Sequence, residues 1–236
     1  MSPAVEISVI IPTYNESKNI ARLVKVLARK LAKYRFEILV VDDHSPDGTE
    51  QAIKEITQKQ RRIRFLPHPP PRGLSESILY GVKKAKGKVL VGMDADFNHD
   101  PKVITKLIKK ITDENFNLAV ASRFIAGGGM DDKVRYYCTY LFNFFLRTVL
   151  GFPMTDNASG YYAIKTAKLK KMPLAHIFRG YGEYHLRLVY LAKETGLKAA
   201  EVPVYYQKRK YGQSKSNLWQ MLFKYLGVAT ALRFHW

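Results

Sequence analysis

The chain has 236 residues, 47% hydrophobic and 25% charged, which supplies one sizeable core and excludes a disordered or collagen-like polymer. Lys and Arg number 39 against 20 Asp and Glu, and the net charge of +19 predicts attraction to anions: nucleic acid, lipid headgroups or a phosphorylated substrate. A single cysteine, Cys138, excludes an intrachain disulfide and a thiol-rich zinc site, as a reducing compartment would favour.

Glu6 to Pro12 reads as a first strand, reached without a basic and then apolar leader, so a cytoplasmic setting is expected. Asn15, Glu16 and Ser17 supply helix-capping chemistry, after which Ile20, Leu23, Val24, Leu27 and Leu31 fall on one helical face. Phe36 to Val41 is a second strand, Asp47-Gly48 turns into a helix near Thr49, and Ile63 to Leu66 is a third strand. Prolines 67 and 69 to 71 form a stiff connector. A helix from about Leu74 to Lys86 ends at Gly87, and Lys88 to Met93 is a fourth strand running directly into Asp94-Ala95-Asp96. Asp100 and Pro101 cap and start a helix carrying Val103, Ile104, Leu107, Ile108 and Ile111, before a strand at Leu118 to Ser122. The second half holds a Gly-rich loop at Gly127 to Gly129, aromatic-rich helical segments, and strands near Tyr161 to Ile164 and Lys198 to Tyr205. The alternation predicts an α/β domain with a mostly parallel, Rossmann-like sheet flanked by helices.

Ligands of open α/β sheets sit beyond the carboxyl ends of the strands, and three polar clusters occur at such ends: Thr13 to Glu16, Asp42 to Asp47 and Asp94 to Asp100. Any one of them could be helix capping and turn formation; their recurrence at corresponding ends favours a site. Asp94 and Asp96 straddle one small residue, so two carboxylates lie within reach of one hard cation that can also hold a diphosphate. Asn98 and His99 follow as further ligands or supporting groups. The chain has neither a P-loop nor a dinucleotide glycine motif after the first strand. Phosphates must therefore be held by metal and basic side chains, and Arg209 to Lys215 offers charge on a flexible loop.

Taken together, Val9-Ile10-Ile11-Pro12-Thr13-Tyr14-Asn15-Glu16, Val41-Asp42-Asp43 with Ser45 to Thr49, Asp94-Ala95-Asp96 with His99 and Pro101, Ser122-Arg123-Phe124, and Arg209 through Ser214-Lys215 resemble family 2 of the inverting glycosyltransferases with the GT-A fold. Within that family they resemble the dolichyl-phosphate mannosyltransferases, over Glu6 to Leu218. The resemblance implies that Pro12, Tyr14, Glu16, Val41 and Asp43 hold the nucleoside, and that Asp94, Ala95, Asp96 and Asn98 serve the diphosphate. Asp96 and Asn98 are the implied ligands of Mg²⁺ or Mn²⁺; many relatives carry Gln at the position of Asn98, and the shorter amide still offers an oxygen. Arg123, Arg209 and Lys215 are the implied basic catalytic groups around the donor diphosphate, with Arg123 and Arg135 toward an acceptor phosphate. Surface charge is the competing reading of these cations, and His185 falls near a position that is basic in relatives.

A lipid phosphate is already an anion, so its oxygen can attack an anomeric carbon without a dedicated base. The expected reaction is inverting transfer of mannose from GDP-mannose to dolichyl or polyprenyl phosphate; Asp156 and Glu183 are read as structural or orienting groups. UDP-glucose is the alternative donor. Tyr136, Tyr137, Tyr140, Leu141, Phe144, Phe145, Thr148 and Val149 make an apolar helical face, and Leu218 to Trp236 a second aromatic helix, each either core or membrane-interfacial. The expected organisation is a catalytic domain over residues 1–215 and an amphipathic interfacial helix over 216–236. An anionic membrane surface, met peripherally on its cytoplasmic side, is then the expected partner, with a membrane-anchoring protein as an alternative tether. Nucleic acid is not expected. A non-catalytic basic binding protein remains the rival of a different class, and it leaves the acidic strand ends unexplained.

Overall fold

The computed structural model describes residues 4–207 and 218–234. In chain order the elements are β1 Ile7–Thr13, α1 Ser17–Lys30, β2 Phe36–Asp42, α2 Thr49–Lys59, β3 Ile63–Pro67, α3 Leu74–Lys84, β4 Val89–Gly92, α4 Ile104–Thr112, β5 Leu118–Ser122, β6 Gly129–Met130, α5 Lys133–Thr148, β7 Tyr162–Lys165, α6 Thr166–Leu169, α7 Leu174–Ile177, α8 Tyr184–Glu194, β8 Ala199–Pro203, β9 Tyr205–Tyr206 and α9 Leu218–Phe234. Seven strands form one sheet in the order β3-β2-β1-β4-β7-β5-β8, parallel except for β7, which runs antiparallel between β4 and β5.

The period of two along β1 divides the core. Ile7, Val9 and Ile11 pack with Ile20, Leu23 and Val24 of α1 and with Ile104, Leu107 and Ile108 of α4. Ile10 faces the other way, with Leu39, Leu90, Ile78 and Val82 of α3, and Leu186, Leu188 and Val189 of α8. Insertion of β7 depends on a glycine: Gly92 sits opposite Tyr162, and a Cβ there would lie 2.6 Å from the tyrosine ring.

Several boundaries depart from the sequence reading for local reasons. Helix α4 begins at Ile104, because Asp100 first closes a turn, its Oδ1 accepting from the Lys102 N–H (2.8 Å) and its carbonyl from the Val103 N–H (3.0 Å). The strand expected over Lys198 to Tyr205 is broken at Val204, and the piece beyond it, β9, pairs with β6 at the end of the Gly-rich loop. Helix α9 packs on α8 and α5 and buries Tyr225, Ala229 and Leu232. The expected boundary at 215/216 lies outside the described residues.

Candidate active site

Parallel pairing brings the three acidic strand ends to one edge. Pro12 pairs with Val41 and Thr13 with Asp42, while Ile10 pairs with Gly92 at the end of β4. Asp42 accepts from Thr13 Oγ1 (3.0 Å), Ser45 Oγ (2.6 Å) and the Ser45 N–H (2.9 Å), so it binds the first two loops together. Asp47 does the same, accepting from the Ser17 N–H and from Thr49. Burial pushes the Asp47 carboxyl up, but the hydrogen bonds from Thr49 and Ser17 outweigh it and leave it below its ordinary value. The N-terminus of α1 is therefore capped from the neighbouring loop, not by a side chain of its own cap residue, Glu16.

The residues that sequence assigns to a nucleoside differ in access. Tyr14 is exposed and Glu16 half-buried, whereas Pro12 and Val41 are buried and Val41 belongs to the core. Asp43 accepts the Gly73 N–H at Oδ2 (3.1 Å), and its buried Oδ1 has no hydrogen-bond partner and lies 3.6 Å from His68 Nδ1. That oxygen is an acceptor held in place without a donor.

At the end of β4, Asp94 is half-buried and Ala95 packs into the core. Asp96 is almost fully buried, accepting at Oδ1 from the Asn98 N–H (3.0 Å) and at Oδ2 from Asn98 Nδ2 (3.2 Å), which leaves the Asn98 Oδ1 as the atom that side chain can offer a cation. His99 supports this turn from beneath. Its Nδ1 accepts the Asp94 N–H (2.8 Å), so its Nε2 carries the proton and donates to the Ser159 carbonyl (3.2 Å), with the ring stacked on Tyr161. Among the described residues no group of three or more His, Cys, Asp or Glu could hold a metal. Two carboxylates and an amide fit instead a hard divalent ion that takes its remaining oxygens from phosphate and water.

Beside this turn opens a cleft of about 310 Å³ that brings Asp94, Asn98 and His99 together with Arg123 and Arg135. Arg123 is buried and held by Asp156 in a fork, Nε to Oδ2 (2.7 Å) and Nη2 to Oδ1 (2.8 Å), between the rings of Phe124 and Tyr206. Burial alone would lower its pKa; the Asp156 carboxylate outweighs that and holds the guanidinium above its ordinary value. Asp156 is fully buried and is itself fixed by its N–H to Glu201 (3.2 Å). Arg135 stands in the first turn of α5, its N–H capped by Asp132 Oδ1 (3.0 Å). Arg209 and Lys215 lie outside the described residues. Glu183 turns its Oε2 to the Tyr181 N–H (2.7 Å), a backbone role.

Residues 8–172 match the sequence profile of Glycosyl transferase family 2. The chain belongs to that family. It is 32% identical over 225 residues to the dolichol-phosphate mannosyltransferase of Pyrococcus furiosus, covering 94% of this chain and 62% of that protein, so it spans less than two thirds of that relative. Identity to the polyprenol monophosphomannose synthase of Mycolicibacterium smegmatis is also 32%, over 92% of this chain and 84% of the relative. In fold, the chain is similar to glucosyl-3-phosphoglycerate synthase from Mycobacterium tuberculosis solved with Mn²⁺, uridine diphosphate and phosphoglyceric acid, at a TM-score of 0.71 and 19% identity, covering 98% of this chain and 79% of that one.

In this family 2 chain the cleft also contains groups that sequence reasoning missed. Tyr184, Tyr206 and Tyr225 line it, and burial raises all three phenol pKa values, so they face the cleft as neutral hydroxyls. No motif marks them; aromatic residues at such spacings read as core. His185 behaves oppositely to a phosphate-binding cation. Its Nδ1 bonds the Asn157 carbonyl (2.8 Å), its buried Nε2 has no partner, and burial pushes its pKa down to about 4. The unfolded chain binds this proton at its ordinary 6.5, so the stability due to a neutral His185 is full above pH 6.5 and lost as pH falls toward 4. The expected loss is on the order of 3 kcal/mol. Urea unfolding of wild type and His185→Gln across that window checks it: the difference between the two should widen toward neutrality, and a constant offset rejects it.

Proposed function

We propose that the protein transfers mannose from GDP-mannose to dolichyl or another polyprenyl phosphate with inversion, giving a β-linked lipid product. The observation that carries this reading is the meeting of the Asp94 and Asn98 turn with Arg123 and Arg135 in one cleft at the carboxyl edge of a parallel sheet. One end of that cleft is chemically suited to a cation and a diphosphate, the other to a phosphate anion. Names of the two curated relatives point the same way.

In this mechanism the Asp43 carboxylate accepts an N–H of the base, while Pro12, Tyr14, Glu16 and Val41 shape the nucleoside's bed. Asp96 and Asn98 would hold Mg²⁺ or Mn²⁺, with Asp94 beside them, and that ion supplies charge neutralisation for the departing diphosphate. Arg123, fixed by Asp156, orients phosphate through its remaining N–H groups, and Arg135 gives the acceptor phosphate a second cation. Arg209 and Lys215 join the donor side in this reading. No side chain is required to remove a proton, since the attacking oxygen is already charged. Transfer of labelled sugar from GDP-mannose and, in parallel, UDP-glucose to a short polyprenyl phosphate with each metal tests the proposal. Mannolipid formation dependent on metal is the expected result; preference for UDP-glucose would move the donor assignment, and no lipid product from any donor would overturn the reaction.

Helix α5 supports a peripheral approach to a lipid bilayer. It is built inside out: Thr139 and Asn143 are 3% and 1% exposed, whereas Leu141 and Phe144 are 64% and 53% exposed. The inward polar groups are satisfied, Asn143 Nδ2 bonding the Thr139 carbonyl and its Oδ1 accepting the Asn157 N–H. Trp219, Phe223 and Phe234 of α9 are also exposed, and no helix among the described residues is long and apolar enough to cross a membrane. Such a face fits insertion to the depth of the acyl boundary. Leu141→Asp with Phe144→Asp should weaken binding to anionic vesicles by at least about a hundredfold, from roughly 1.5–3 kcal/mol of burial for each of the two side chains, without lowering the melting temperature. Unchanged flotation with vesicles would reject the assignment.

A further inference from the structure

On the far side of the Gly180–Glu183 turn from the active cleft lies a second cleft, of about 720 Å³, between the start of α8 and the outer half of α9. Tyr181 lines both clefts, and its carbonyl is fixed by the Ser75 hydroxyl (2.6 Å). The second cleft gathers His176, Arg179, Arg187 and Lys224 against a single carboxylate, Glu183. Arg187 is only 6% exposed, and one Nη donates to the Arg179 carbonyl (2.8 Å), which fixes the guanidinium in the wall. Glu183 is occupied with the Tyr181 N–H, and among the described residues no carboxylate comes within ion-pair distance of Arg179, Arg187 or Lys224.

Two guanidiniums and an ammonium sharing one partly enclosed cleft repel each other, and burying Arg187 without a paired carboxylate costs solvation that the Arg179 carbonyl and the charge of Glu183 offset only in part. Burial and the Arg179 charge hold the Arg187 guanidinium below its ordinary value, with Glu183 opposing only in part. The imidazole of His176 is lowered likewise by burial and then by Arg179 and Arg187, so the positive potential extends across the cleft. A dianion seated among these groups would remove the repulsion and take charge-assisted hydrogen bonds from forked donors.

We propose that this cleft is an anion site for a phosphate-class group, separate from the donor and acceptor cleft and independent of the reaction assigned there. The group could arrive as free inorganic phosphate or as the phosphomonoester headgroup of a lipid, since the cleft is walled by α9, the helix that exposes Trp219 and Phe223. Arg179 and Lys224 are exposed, so Arg179→Gln with Lys224→Gln removes two cations without emptying the core. Calorimetric titration with inorganic phosphate, and cosedimentation with phosphatidylcholine vesicles containing or lacking phosphatidic acid, compare this variant with wild type. A charge-matched control, Lys25→Gln with Lys59→Gln on α1 and α2, removes the same charge elsewhere. The double variant should lose about tenfold in affinity in at least one arm beyond any loss in the control. Loss in the phosphate arm identifies a free anion, and loss confined to vesicles carrying phosphatidic acid identifies a headgroup. Affinities equal to those of the control in both arms, or absence of binding by wild type in both, overturn the proposal.

Discussion

On the proposed mechanism Asp96→Ala will reduce sugar transfer by about a thousandfold while the protein remains folded, because the ion that Asp96 would hold meets the charge that grows as the diphosphate departs. Asp96 is nearly buried and accepts from Asn98, two residues on in the same turn, and thermal unfolding of the variant checks that the fold survives the truncation. The same substitution should abolish the enhancement of GDP binding by Mn²⁺ in calorimetry, leaving the metal-free affinity close to wild type. Asp96→Asn separates shape from charge: its amide oxygen can still accept the Asn98 N–H, and it should be nearly as inactive. If either variant transfers sugar at the wild-type rate, the acidic turn does not hold the ion and the mechanism fails at its centre.

The acidic turn was legible in sequence because an apolar run of five residues, Val89 to Met93, delivers it to a strand end. The first four strands and the helices between them were readable for the same reason: each is local, with its period and its breakers inside one short window. Placement of β7 was not. Its antiparallel insertion between β4 and β5 depends on Gly92 leaving room for Tyr162, seventy residues away, a fit that no local pattern encodes. The role of His99 was likewise undetermined, since only the distance from its Nδ1 to the Asp94 N–H decides between ligand and support. Helix α5 posed a different problem. Its apolar stripe was plain, but whether that stripe faces core or solvent depends on Thr139 and Asn143 finding partners in the 154–157 turn and in the helix itself, and hydrophobic pattern favours the opposite orientation. Arg123 was named from a motif, yet the residue that gives it a fixed direction, Asp156, lies 33 positions on and is reached only through the fold.

That pair yields the second large effect. Asp156→Ala leaves a guanidinium buried without its carboxylate, and breaking such a pair costs about 3–5 kcal/mol. Lost activity in this variant would be ambiguous, since a protein so destabilised transfers nothing. Replacing both partners by apolar residues resolves the ambiguity, because two well-packed hydrophobic side chains avoid the desolvation that the ion pair must overcome. Arg123→Met with Asp156→Leu should therefore be more stable than either single variant, with a coupling of about 1–3 kcal/mol in a double-mutant cycle by urea unfolding. Transfer should nonetheless stay at the level of Arg123→Met alone, with the KM for polyprenyl phosphate raised, since the N–H groups proposed to meet phosphate are gone. Recovery of transfer together with stability would mean that Arg123 serves only to hold the β5 end to the 154–157 turn, and the acceptor phosphate would then need another cation to receive it.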